Sequence, residues 1–208
     1  MKYSAMNITL IILILLIIFI IIILSCSYFK WKDRVKFVQV SSGKESFLVQ
    51  NNKEEPEWIS REVAERLSRL SSKIDELVLN MKNTQYPSKE VSNRLYNRWE
   101  KIRSNPKGLR ETSLGETSAA YTVNKNQEMR ICVRGKNGNK FEDENTMMFV
   151  CLHECAHVMS ESFGHNKEFR ENFAHITRRA IDLKLYKYED FSKNNKDYCN
   201  TLITNSSI

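Results

Sequence analysis

The stretch CLHECAHVMSESFGHNKEF, residues 151–169, sets two histidines four residues apart around a glutamate, with a third histidine eight residues further on. The surrounding sequence predicts a helix from Asp143 to about Phe163. Asp143 is a favoured N-cap residue, Glu144 lies in the first turn, where the helix dipole welcomes negative charge, and Gly164 is a stop signal. At about 100° per residue, His157 lies roughly 40° and Glu154 about 100° around the helix from His153. Met148, Cys151, Leu152, Cys155, Ala156, Val158 and Met159 fill the opposite arc. One face is therefore apolar, and the three functional groups share the other.

Two imidazoles one turn apart can grip a single ion at about 2.0–2.1 Å, the usual zinc–nitrogen distance. The glutamate beside them is placed to act on water at that ion. Cys151 and Cys155 point the other way, which makes them core thiols and removes a Cys₂His₂ set. A catalytic zinc takes three protein ligands and keeps one position open. His165 is the expected third ligand, because Gly164 can adopt the left-handed conformation that reverses the chain. Glu161, one turn beyond His157, and Glu171 and His175, on the following helix, are the alternatives. Three of the four histidines fall within 13 residues, which argues against an ordinary surface helix.

FVCLHECAHVMSESFGHNKEF, with YTVNKNQEMRICVR before it and YEDFSKNNKDYC after it, resembles the WLM-type metallopeptidases. These are zincins related to the SprT/Spartan-like proteases, and the same stretches resemble WLM-like proteins of large DNA viruses, several of which also begin with an apolar span. It runs from about Tyr121 to Leu202. Gly164, His165 and Phe169 match the Gly-His turn and the phenylalanine after it. The gap between His157 and His165 is longer than in cellular members. The resemblance implies Zn²⁺ as cofactor, metal roles for His153, His157 and His165, a catalytic role for Glu154, and a protein or peptide substrate whose peptide bonds are hydrolysed by water. It also implies that an edge strand holds extended substrate, for which the hairpin at 119–134 is the candidate. Arg130 or Arg134 could help hold an oxyanion, although solvated strand charges are the plainer reading. The competing classes are a zinc-binding interaction module without proteolysis and a tethered structural protein. A glutamate in the position of a base argues against both.

The rest of the chain frames this site. Residues 8–24 are apolar except for Thr9, and with their flanks they reach the ~20 residues needed to cross a bilayer. Tyr28, Phe29 and Trp31 are interfacial residue types, and Lys30, Lys32, Arg34 and Lys36 follow the run. The expectation is a retained single-pass anchor at 1–29, with the bulk of the protein on the cytoplasmic side of a host or virion membrane. Ile23-Leu24-Ser25-Cys26 is a loose match to a lipoprotein cleavage site. Residues 30–56 read as a polar tether and 57–208 as the catalytic domain.

The net charge of +7 divides into +3 over residues 1–56 and +4 over the remainder. Such mixed signs are closer to a solvated surface than to a nucleic-acid stripe, so a nucleic-acid partner is not expected. Five cysteines in no paired spacing suggest neither a disulfide framework nor a zinc ribbon. Val63, Leu67, Leu70, Ile74, Leu77 and Met81 form one apolar stripe on a helix over 57–82. That stripe fits packing within the domain better than a coiled-coil homodimer, because it lasts under three heptads. A second helix follows over 88–103, then a loop, the hairpin, the motif helix, a last helix over about 167–185, and a polar tail. The expected fold class is α+β, mainly helical, with a small antiparallel hairpin.

Overall fold

The computed structural model describes residues 10, 12–25, 35–52, 55–113, 116, 118–135 and 140–208. Two compact units are distinguished: Met1–Phe37 with Asn51–Glu55, and Val38–Gln50 with Pro56–Ile208. In the first, residues 12–25 form helix α1. Among the described residues no helix is long and apolar enough to cross a membrane. The expected single-pass anchor, its membrane localisation and its cytoplasm-facing orientation are corrected accordingly. Tyr28, Phe29, Lys30, Trp31, Lys32 and Arg34, and the cleavage-site match at Cys26, lie outside the described residues.

The second unit is α+β. Its helices are α2 (Glu57–Thr84), α3 (Lys89–Ser104), α4 (Glu144–Met159) and α5 (Lys167–Asp182). Local causes set three of the starts. Ser88 accepts the Val91 N–H at 3.3 Å, Asp143 accepts that of Thr146 at 2.9 Å, and Asn166 accepts that of Phe169 at 3.1 Å, so α3, α4 and α5 all begin at a side-chain cap. The stripe on α2 is buried inside this unit, with Val63, Leu67, Ile74, Leu77 and Met81 all at 0% exposure. It is used for internal packing.

The strands depart further from expectation. β1 (Val35–Ser42) and β2 (Glu45–Asn52) occupy most of the stretch expected to be a tether, with Gly43 at φ +62° in their turn. β3 (Leu109–Glu111) lies inside the expected loop, and β4 (Ala120–Val123) and β5 (Glu128–Ile131) form the expected hairpin. Together they make one five-stranded sheet in the order β1-β2-β3-β5-β4. It is mixed: β3 runs parallel to both β2 and β5, while β4 pairs antiparallel with β5. The small hairpin expected from the sequence is therefore only the outer edge of a larger sheet. β3 escapes a hydrophobicity scan because two of its three residues are charged, yet all three are buried. It enters under the end of α3 at Gly108, where a β-carbon would stand 1.6 Å from the Ile102 carbonyl oxygen.

Those charges are satisfied by pairing. Arg134 and Glu111 meet at 2.8 Å with side-chain exposures of 0% and 1%, and Arg134 also donates to the Gln50 carbonyl at 2.8 Å. Arg130 pairs with Glu116 at 2.9 Å and Glu128 at 3.0 Å. Both arginines thus serve the sheet, and Arg134 is neither solvated nor available to an oxyanion. Removing one partner of such a buried pair strands the other charge in a low-dielectric interior. Arg134→Met is expected to cost about 3 kcal/mol of unfolding free energy. Urea titration reads this out, and the double change Arg134→Met with Glu111→Leu should recover much of the loss.

The tail also folds. β6 (Lys196–Tyr198) and β7 (Thr201–Ile203) form a second antiparallel pair, turned by Cys199 and Asn200 at φ +51° and +65°. Cys199 is disulfide-bonded to Cys132 across 67 residues of sequence, which corrects the expectation of no disulfide. The remaining pair of described thiols, Cys151 and Cys155, is buried and free, in keeping with their place on the apolar face of α4.

Candidate metal centre

Helix α4 supplies two of the site's imidazoles and its carboxylate, and the loop after it supplies the third imidazole. The helix ends at Met159, earlier than the expected Phe163, with Ser160 as its cap. The early end gives the chain room to loop, and Gly164 makes the reversal at φ +80° with open space where a β-carbon would be. His165 is thereby carried back over the helix. The ligand atoms of His153, His157 and His165 all lie within 4.8 Å of one another. His153 Nε2 and His165 Nε2 are 3.0 Å apart, close to the roughly 3.3 Å expected for two nitrogens on one tetrahedral ion. The ring centroids form a near-equilateral triangle of 5.0, 4.9 and 4.9 Å.

One residue braces all three rings. Phe169, 3% exposed, stands 4.3 Å from the His157 ring, 4.6 Å from His165 and 4.8 Å from His153, centroid to centroid. The alternative ligands are engaged elsewhere. Glu161 pairs with Arg94 at 3.0 Å, Glu171 with Lys167 at 3.7 Å, and His175 Nδ1 meets the Tyr86 hydroxyl at 3.0 Å.

The electrostatics suit a metal. Burial, followed by the neighbouring imidazoles, pushes the His153 pKa down to about 3; burial, His165 and Lys125 push that of His157 down to about 4. Both rings are therefore neutral and ready to ligate at neutral pH. Glu154 is 5% exposed, and desolvation raises its pKa to about 7 against the opposing hydrogen bonds from Thr122. The Thr122 hydroxyl donates to Glu154 Oε2 at 2.8 Å. The donor set fits a zinc ion: three converging imidazoles, a carboxylate alongside, and an exposed His165 leaving one side open.

Two supporting residues give no signal in the sequence. Thr122 is an ordinary strand residue until pairing brings β4 against α4. Lys125, 7% exposed, sits in the β4–β5 turn at φ +62° and donates to the carbonyls of Ser160, Glu161 and Ser162 at 2.9, 2.8 and 2.6 Å. Arg98 reaches the Val158 and Ser160 carbonyls at 2.8 and 2.7 Å, and Arg94 that of Met159 at 2.8 Å. These cations satisfy the carbonyls that the end of α4 leaves unpaired. Glu168 completes the clamp by accepting the backbone N–H groups of Glu161 and Ser162 at 2.8 and 3.0 Å. Its pKa falls to about 2, because hydrogen bonds from Ser162 and Glu161 together with Arg94 outweigh its desolvation. Since Lys125 fixes the loop that delivers His165, Lys125→Met is expected to weaken zinc binding roughly ten- to hundredfold. Competition with a chelator measures it; unchanged affinity would show that the loop holds itself.

β4 ends the sheet, and its hydrogen-bond phase decides which groups it offers. Cys132 donates to the Ala119 carbonyl at 2.9 Å and Gln127 to that of Val123 at 3.2 Å. Ala119, Tyr121 and Val123 therefore turn their backbone groups toward β5, while Ala120 and Thr122 turn theirs to the open edge beside Glu154.

No protein-family model matches the chain. It is 31% identical over 176 residues to the uncharacterized protein R325 of Acanthamoeba polyphaga mimivirus, covering 84% of this chain and 85% of that protein. It is also 34% identical over 94 residues to the uncharacterized protein 136R of Invertebrate iridescent virus 6, and 34% identical over 86 residues to 042R of Invertebrate iridescent virus 3. These matches cover 44% and 40% of this chain and 51% of each relative. Among solved structures, Wss1 from Saccharomyces cerevisiae aligns over 66% of this chain and 88% of its own, at 16% identity and a TM-score of 0.39.

Proposed function

This chain belongs to the family of the mimivirus protein R325, and we propose that it is a zinc-dependent peptidase of the WLM type. His153, His157 and His165 hold the ion and Glu154 is the general base. The observation that carries this reading is the company the three imidazoles keep. A buried carboxylate stands beside them, and the metal-binding group among the described residues has no fourth protein ligand. A structural zinc favours four protein ligands; a catalytic one keeps a position open.

Zinc held there supplies Lewis acidity, polarising a peptide carbonyl and making water more acidic at neutral pH. The open edge of β4 accepts an extended peptide through the backbone groups of Ala120, which lays the scissile bond along the face that carries Glu154. Glu154, with a pKa near the working pH, takes a proton from the attacking water and returns it to the departing amine. Thr122, bonded to Oε2, fixes the direction in which the carboxylate faces.

The test uses the full chain, purified and loaded with zinc. It is expected to carry about one zinc per chain and to cut an unfolded substrate such as casein, with a chelator stopping the reaction and zinc restoring it. A chain that binds zinc yet cleaves nothing would favour the non-proteolytic interaction module.

A further inference from the structure

Beside Glu154 and His153 the cleft continues into a recess for which bond hydrolysis by itself has no use. The whole cleft encloses about 860 Å³. Val150 of α4 and Phe173 of α5 line its floor, Ala120 of β4 lines one side, and Leu202 and Ile203 of β7 line the other. Apart from Glu154 and the histidines, Arg170 is the one ionisable side chain among the lining residues that carries charge, and it already donates to the His165 carbonyl at 2.9 Å.

The β7 wall is held in place from behind. The Cys132–Cys199 bond ties its hairpin to the segment just past β5, the Tyr198 hydroxyl donates to the Cys132 carbonyl, and the Cys199 N–H donates to Glu142 at 3.0 Å. The recess is therefore a built feature of the fold. It opens onto the same edge of β4 that would hold a peptide backbone.

We propose that this recess is a specificity subsite for one bulky apolar side chain, such as leucine, methionine or phenylalanine, adjoining the bond to be cut, and that Leu202 and Ile203 are its specificity-determining wall. The inference rests on the peptidase reading. An extended peptide paired to Ala120 sends alternate side chains to opposite sides, and the side directed at α5 meets a lining in which Val150, Phe169, Phe173, Leu202 and Ile203 supply apolar surface beside Arg170 and hydroxyl-bearing residues such as Thr201 and Ser206. Burying such a side chain there discriminates against small or charged residues.

The full zinc-loaded chain is given a random-sequence peptide mixture, and the products are sequenced by mass spectrometry. One position flanking the cut is expected to be enriched roughly tenfold or more in Leu, Met and Phe over Gly, Asp and Lys. Leu202→Glu, at a side chain already 59% exposed and so little threat to folding, and Ile203→Ala should each lower kcat/KM for the apolar peptides and flatten the preference. Cleavage with enrichment at no position, or enrichment that neither change alters, overturns the proposal.

A second arm needs no turnover. Glu154→Gln chain loaded with zinc is passed over the same mixture, and the retained peptides are sequenced. Apolar enrichment that Leu202→Glu abolishes supports the subsite, and unbiased retention or none overturns it. Selective retention by Glu154→Gln alongside an inactive native chain would count against the peptidase reading and leave the subsite standing.

Discussion

Glu154→Gln leaves about one zinc per chain and lowers peptide hydrolysis on the order of 10³-fold or more. Both halves of this expected result follow from where the side chain sits. Glu154 is outside the group of converging nitrogens, so the amide removes no ligand. The amide is nearly isosteric, and its oxygen can still accept from the Thr122 hydroxyl, so packing in this buried position is kept. What disappears is the one group at the site whose pKa, lifted to about 7 by desolvation, matches proton transfer at neutral pH. Metal analysis beside a turnover assay separates the two effects. Undiminished hydrolysis would sink the assignment of Glu154 as the base, and a parallel loss of zinc would make it a ligand instead.

His165→Ala carries the second large effect, a fall in zinc affinity on the order of 10³-fold with activity abolished. His153 and His157 would remain one turn apart on α4, but two imidazoles on one helix face cannot enclose an ion. No substitute is at hand, because the converging ligand atoms among the described residues belong to His153, His157 and His165 alone, and Glu161, Glu171 and His175 face Arg94, Lys167 and Tyr86 instead. Glu171→Ala and His175→Ala should therefore leave zinc affinity within a few-fold of the native value. Competition with a chromophoric chelator measures all three variants on one scale. If His175→Ala or Glu171→Ala costs more affinity than His165→Ala, the ion is held from α5 and the loop after Gly164 has another purpose.

Much of the site is local, and so it was legible in the sequence. A 3.6-residue period places His153, Glu154 and His157 together on any helix, Asp143 starts that helix through its own side chain, and glycine at 164 permits the left-handed turn found there. Phe169 is legible as an apolar residue of the last helix and through family resemblance; its physical role as the brace beside three imidazoles needed the packed structure. Other features depend on partners far along the chain. Nothing near Arg134 marks it as buried, since its charge is balanced by Glu111 from a strand that itself reads as loop. Cys132 and Cys199 look unrelated until the β6–β7 turn brings them together. Lys125 and Thr122 acquire their roles only when the hairpin docks on α4. The apolar run at 8–24 shows the converse limit: composition met the length for a span, while the described helix falls short of it. Helix periodicity, caps and turns act over a few residues and are written in order along the chain. Which charge is buried, which strands join the sheet and which wall faces the cleft are decided by contacts between segments that only folding brings together.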